Sequence, residues 1–181
     1  MVRIIDLAIW SAIAVHTTVA LVSDLRTRRI PNRWNVIVGL AGLGYHSIMD
    51  GSSGLQYTLM SMALMLALSF TLQLCGAIGG GDVKWFAALG AWSGLRFSLT
   101  TFMLTMIIAG LIGAVMLVVR GQLWLRLKSW LQSLVITLMY RNADPIKASR
   151  KLATIEMPLM IAVAPAVILS YLQALGGWMQ L

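Results

Sequence analysis

Residues 4–32 read IIDLAIWSAIAVHTTVALVSDLRTRRIPN, and the change of character inside that stretch decides the fold. From about Ile4 to Val22 it is an apolar run, broken early by Asp6, long enough for a tilted helix across a hydrocarbon core of roughly 30 Å. Ser23 and Asp24 then open a basic loop carrying Arg26, Arg28, Arg29 and Arg33, in which Pro31 should end or restart a helix. An apolar run closed by positive charge is the pattern of a membrane span whose basic end faces the cytoplasm. Arg3 precedes the run as in a secretory leader. Asp6 and the lack of a clear small-x-small site point instead to a retained first span.

The pattern repeats along the chain. Apolar segments run from about Trp34 to Met49, Leu55 to Gly76, Val83 to Leu95, Phe97 to Val119 and Met157 to Leu175. The second is rich in small residues (Gly39, Ala41, Gly42, Gly44), which let helices approach closely. Residues 50–54, Asp-Gly-Ser-Ser-Gly, read as a tight outer loop. The fourth segment is only about 20 Å long at 1.5 Å per residue, so the glycine loop before it is expected to dip into the membrane, or the bilayer to thin. Residues 121–155 hold most of the remaining charge and alternate it with Leu and Trp, as a helix lying in the cytoplasmic interface would. Basic residues follow segments one, three and five, which puts those loops in the cytoplasm.

Of the 181 residues, 59% are hydrophobic and 11% charged, and the mean hydropathy is +0.84. Soluble domains are closer to half apolar and about a quarter charged. The expectation is an all-α, polytopic membrane protein of one domain, with about six transmembrane helices and an amphipathic cytoplasmic helix. The net charge of +8 sits between apolar runs, which favours membrane lipids over nucleic acid as its partner. The lone Cys75 excludes an internal disulfide and reads as a buried packing thiol. His16 and His46 are far apart, so no metal site or cofactor is expected, and packing or capping roles are. The Trp residues fall near segment ends, as interface anchors do.

Two of the six acidic residues stand out. Asp24 lies at the end of segment one and Asp82 at the start of segment four, in Gly79-Gly80-Gly81-Asp82-Val83-Lys84. A carboxylate at the lip of a bilayer is unfavourable unless paired, hydrated or used. Both belong to the same membrane side. Two neighbouring carboxylates cannot both ionise cheaply, so one keeps a proton while the other acts as base, and together they can activate water against a peptide carbonyl. The glycines allow unusual backbone angles and close approach of an extended strand. They lack the Gly-Lys-Ser/Thr ending of a phosphate loop. Against this stand plainer readings: Asp82 as a helix N-cap, and Asp24 paired with Arg28 or Arg29. The helix dipole favours charge on Asp82, at a helix start, over Asp24, at a helix end. Pro31 and Asn32 would shape the turn that aims Asp24, and Lys84 would either stabilise Asp82 or mark the boundary.

The run Asp24-Leu25-Arg26-Thr27-Arg28-Arg29-Ile30-Pro31-Asn32 resembles the first-aspartate motif of type IV prepilin peptidases. Gly79-Gly80-Gly81-Asp82 resembles their GxGD motif, and Met157-Pro158-Leu159 resembles their Pro-containing final helix. The resemblance implies an aspartic endopeptidase of the bacterial inner membrane. Its substrate would be a prepilin or pseudopilin, cut after a short basic leader at the cytoplasmic face. Asp24 and Asp82 match the catalytic positions, and Gly79 and Gly81 the motif glycines. Larger members carry a cysteine-containing cytoplasmic insert and methyltransferase activity. This chain has neither paired cysteines nor room for the insert, so it is similar to the peptidase-only branch serving Flp/Tad-type pili. A proton-coupled transporter using the same carboxylates, and an inactive assembly scaffold, are the competing readings. The first expects carboxylates at the midplane rather than at one face.

Overall fold

The computed structural model describes residues 4–119, 121, 128 and 158–176. Most of these residues are helical, with no strand among them. Four helices follow one another: α1 (Ile4–Thr27), α2 (Asn32–Leu74), α3 (Gly80–Val119) and α4 (Met160–Leu175). By length and composition α1, α2 and α3 can each cross a membrane, and α4 is a shorter apolar helix. The expected amphipathic helix over 121–155 lies outside the described residues. By packing the chain divides into Met1–Ile108 with Pro158–Leu181, and Ala109–Met157.

The two longest helices are not continuous. Gly51 breaks α2 with φ 65°, and Gly94 breaks α3 with φ 71°. Side chains other than glycine rarely adopt such angles. At Gly94 a Cβ would also lie 2.9 Å from the Tyr57 ring, whose hydroxyl accepts the Leu95 N–H at 3.3 Å. The outer loop expected over 50–54 is thus tighter than its composition implied: only Gly51 leaves helical geometry.

Contacts give the directions. Going up the first arm of α2, Gly39 faces Ala88 and Gly42 faces Ala91, so this arm runs parallel to the start of α3. In the second arm, Ser69 donates to the Val83 carbonyl, Ser61 faces Gly90 and Tyr57 meets Leu95, so this arm runs antiparallel. The chain therefore reverses at Gly51. Helix α1 also runs antiparallel to the start of α3: Trp10 packs edge-on against Phe97, and His16 stacks on Trp85. Trp10 meets Tyr171 as well, which brings α4 alongside α1.

The core gathers Ile13, Ala20, Ile30, Met65, Trp85, Phe86, Leu89, Met160 and Val163. Trp85 is fully buried, with ring centroids 5.4 Å from His16 at an interplanar angle of 9°. It is core, not the interface anchor that its place near a segment end suggested, because it faces α1 rather than lipid. Buried hydroxyls bond back to their own helix: Thr17 to Ile13 O, Ser61 to Tyr57 O, Thr105 to Thr101 O. This leaves no orphan donor on those side chains in an apolar interior. Thr101 also donates to Ser170 Oγ at 3.0 Å, a polar link between α3 and α4. Cys75 is exposed, against the packing role expected of it, because it stands where α2 ends and the glycine turn begins.

Candidate active site

Asp24 lies in the last turn of α1 and Asp82 in the first turn of α3. They line one cavity of about 320 Å³ with Arg28, Arg29, Ile30, Asn32, Gly79, Gly80 and Gly81. The two carboxylates are close enough to interact electrostatically. The residues singled out from the two sequence runs thus converge on one space, although they come from segments more than fifty positions apart.

The loop after α1 is held from beneath. Ser23 Oγ and Thr27 Oγ1 both donate to the Arg29 carbonyl, at 2.8 and 3.1 Å. Arg28, with φ 52°, turns the chain out of the helix while its N–H bonds the Asp24 carbonyl at 2.9 Å. Pro31 is extended and serves as the N-cap of α2. Its carbonyl accepts the N–H groups of Trp34 and Asn35. Pro31 and Asn32 thus lie in the turn that follows Asp24, and Asn32 lines the same cavity.

Across the cavity, Asp82 Oδ2 accepts the Gly79 N–H at 3.2 Å. A Cβ on Gly79 would sit 3.1 Å from that same oxygen, and one on Gly81 would sit 3.4 Å from Ile30 Cβ. Gly79 therefore leaves room for the Asp82 carboxylate to fold back on its own turn, while at Gly81 a Cβ would meet Ile30 at ordinary contact distance. Lys84 is exposed and donates to Asn32 Oδ1 at 2.9 Å. This bond ties the two loops together.

Two features were not foreseen. Asp24 is only 7% exposed, and its Oδ2 accepts the buried backbone N–H of Met160 at 3.1 Å. Met160 is the first residue of α4, and the N-cap residue Leu159 makes no side-chain cap. Asp24 therefore closes the N-terminus of a helix other than its own. The dipole difference expected between the two aspartates is offset, since each now meets a helix start. The second is Asn35, buried in the first turn of α2, whose Nδ2 donates to the Gly81 carbonyl at 3.1 Å. No sequence pattern announces either contact: one donor is a backbone amide, and the other partner lies 46 positions away.

Chemically, the cavity offers two carboxylates, the guanidinium side chains of Arg28 and Arg29 in its wall, and a glycine-lined approach. Among the described residues no group of three or more His, Cys, Asp or Glu side chains gathers as metal ligands. A family model described as the type IV leader peptidase family matches residues 11–118, more than half of the chain, taking in both aspartates and the glycine run. No curated protein and no solved structure gives a significant match.

Proposed function

Given that the chain belongs to the type IV leader peptidase family, we propose that it is an aspartic endopeptidase that removes the short basic leader of a prepilin or pseudopilin, with Asp24 and Asp82 as the catalytic pair. The observation that carries the proposal is the shared cavity: two carboxylates from different helices open onto one glycine-walled space. One carboxylate, ionised, takes a proton from water. The other, protonated, donates to the scissile carbonyl as charge develops on its oxygen. The first carboxyl then passes its proton to the peptide nitrogen as the C–N bond breaks, and the second takes its proton back from a hydroxyl of the tetrahedral intermediate as the new carboxyl forms. Gly79, Gly80 and Gly81 leave room for the extended strand on which the scissile bond lies.

The breaks at Gly51 and Gly94 support counting each long helix as two spans. With α1 and α4 this makes six among the described residues, a count that would put the loops after Thr27 and Leu74 on one side. The basic cluster from Arg26 to Arg33 supports the cytoplasm as that side, and the family supports the bacterial inner membrane as the location. Without paired cysteines or a long insert, no methyltransferase activity is proposed, and the substrate is assigned to Flp/Tad-type pilins.

Co-expression with several Flp-type prepilins tests the reading, scored by gel shift and N-terminal sequencing. Cleavage by the wild type, and its loss in both Asp24→Ala and Asp82→Ala at matched membrane levels, is the expected result. A folded wild type that cuts none of them would turn the reading toward a scaffold or a transporter.

A further inference from the structure

We infer that Asn35 is a positioning residue of the site: its side chain holds the Gly81 carbonyl and, through it, the turn from which Asp82 projects. The inference rests on the reading of Asp82 as catalytic and extends it to a residue that neither sequence run marks. An asparagine in the first turn of a helix ordinarily bonds backbone groups close to itself. Here the backbone has other arrangements, because the Pro31 carbonyl already receives the Trp34 and Asn35 N–H groups. The Asn35 side chain is instead turned inward, 3% exposed, and its Nδ2 reaches Gly81 O at 3.1 Å.

The placement is unfavourable by the usual rules. Burying a carboxamide is costly unless its polar atoms are bonded, and Asn35 Oδ1 finds no partner among the described residues. An apolar residue would fill the position without that penalty. Departures of this kind concentrate at functional sites.

What the side chain secures is local to the chemistry. Gly81 precedes Asp82 directly, and Ile30 presses on Gly81 from the loop that follows Asp24. Asn35 thus clamps the glycine turn from one side while the Gly79 N–H bond to Asp82 Oδ2 closes it from the other. A second side-chain-to-carbonyl bond joins the same two helices farther from the cavity, from Trp92 Nε1, just before the Gly94 break in α3, to Val38 O, one turn along α2 from Asn35, at 2.8 Å. That bond provides an internal control, since it links α2 to α3 without touching the cavity.

The test compares wild type, Asn35→Ala and Trp92→Phe as full-length protein in detergent. Hydrogen exchange is followed by mass spectrometry in peptides covering residues 77–84, and leader cleavage is followed by steady-state kinetics. Asn35→Ala should speed exchange in 77–84 and lower kcat by about 10- to 100-fold, with KM close to that of wild type, as expected when a catalytic group is misplaced. Trp92→Phe should leave both the 77–84 exchange and kcat unchanged. Unaltered exchange at 77–84 in Asn35→Ala would overturn the inference. So would a kcat loss no greater than that of Trp92→Phe, or failure of Asn35→Ala to fold while Trp92→Phe folds, since Asn35 would then support the helices generally. The exchange arm needs no substrate. If the wild type cuts no prepilin, the proposed function fails while the hold of Asn35 on the turn is still decided.

Discussion

Asp24 and Asp82 are expected to differ sharply when each is replaced by alanine and stability, rather than activity, is measured. Removing either carboxylate relieves their mutual interaction equally, so the difference between the variants isolates their other partners. Asp82 is half-buried but its donor Gly79 is exposed, so water can replace the lost carboxylate at that N–H and loss of the bond costs only about 0.5–1 kcal/mol. Asp24 holds the buried Met160 N–H, and α4 has no side-chain cap of its own to replace it. Stranding a buried donor costs about 1–3 kcal/mol. Loss of negative charge at the helix start adds about 0.3–1 kcal/mol. Alanine also relieves the penalty of burying a carboxylate, which opposes both terms. We expect Asp24→Ala to be destabilised by about 1–2 kcal/mol relative to Asp82→Ala, in line with the loss of a helix cap. Asp24→Asn keeps an oxygen in place and should fall between them. Equilibrium unfolding in mixed micelles of increasing SDS fraction measures the order. Equal stability of Asp24→Ala and Asp82→Ala would refute the argument, and so would an Asp24→Asn variant as unstable as Asp24→Ala.

Other expectations follow from contacts elsewhere. Gly42→Ala would put a Cβ 3.0 Å from the Ala91 carbonyl oxygen, and Gly90→Ala one 3.0 Å from that of Ser61; each should be destabilised by about 1–3 kcal/mol through overpacking. Gly44→Ala meets nothing within 4 Å and should be neutral, or stabilised by up to about 1 kcal/mol through helix propensity; the same unfolding assay ranks all three. Lys84→Met breaks an exposed bond to Asn32, so its melting curve should nearly overlay the wild type and its kcat should fall less than that of Asn35→Ala. Leader cleavage should persist in excess EDTA, because the proposed chemistry uses carboxylates alone; loss of activity restored by a divalent cation would contradict it.

The sequence carried the parts of this fold that depend on hydropathy and on local breakers. Apolar runs located the helices. The Asp-Gly-Ser-Ser-Gly stretch contained the first break, at Gly51, and the segment boundary after Leu95 fell one residue beyond the second, at Gly94, where glycine is the residue that adopts such a positive φ. The convergence of Asp24 and Asp82 was legible through charge placement, which put both segment ends on one side. Long-range partners were not legible. Nothing in the run from Trp34 to Met49 tells that Asn35 faces inward while Gly44 faces out. Cys75 and Trp85 were misplaced for a related reason. Composition says that a residue is apolar, whereas burial depends on which face of the helix meets a neighbour.

The site's chemistry is economical in side chains because it is assembled from helix ends. The last turn of α1 supplies Asp24, the start of α3 supplies Asp82, and the start of α4 supplies the Met160 N–H. Helix termini are where backbone donors and acceptors lack intrahelical partners. A carboxylate placed there is bonded without a dedicated polar side chain, and the surrounding surface can stay apolar enough for a membrane. The arrangement has a consequence for assembly. The family match ends at residue 118, before α4, yet the more deeply buried aspartate is gripped by α4. The two carboxylates are carried by α1 and α3 alone. Asp24 is fixed only after the final helix docks, so complete folding of the chain is a condition for a fully ordered pair.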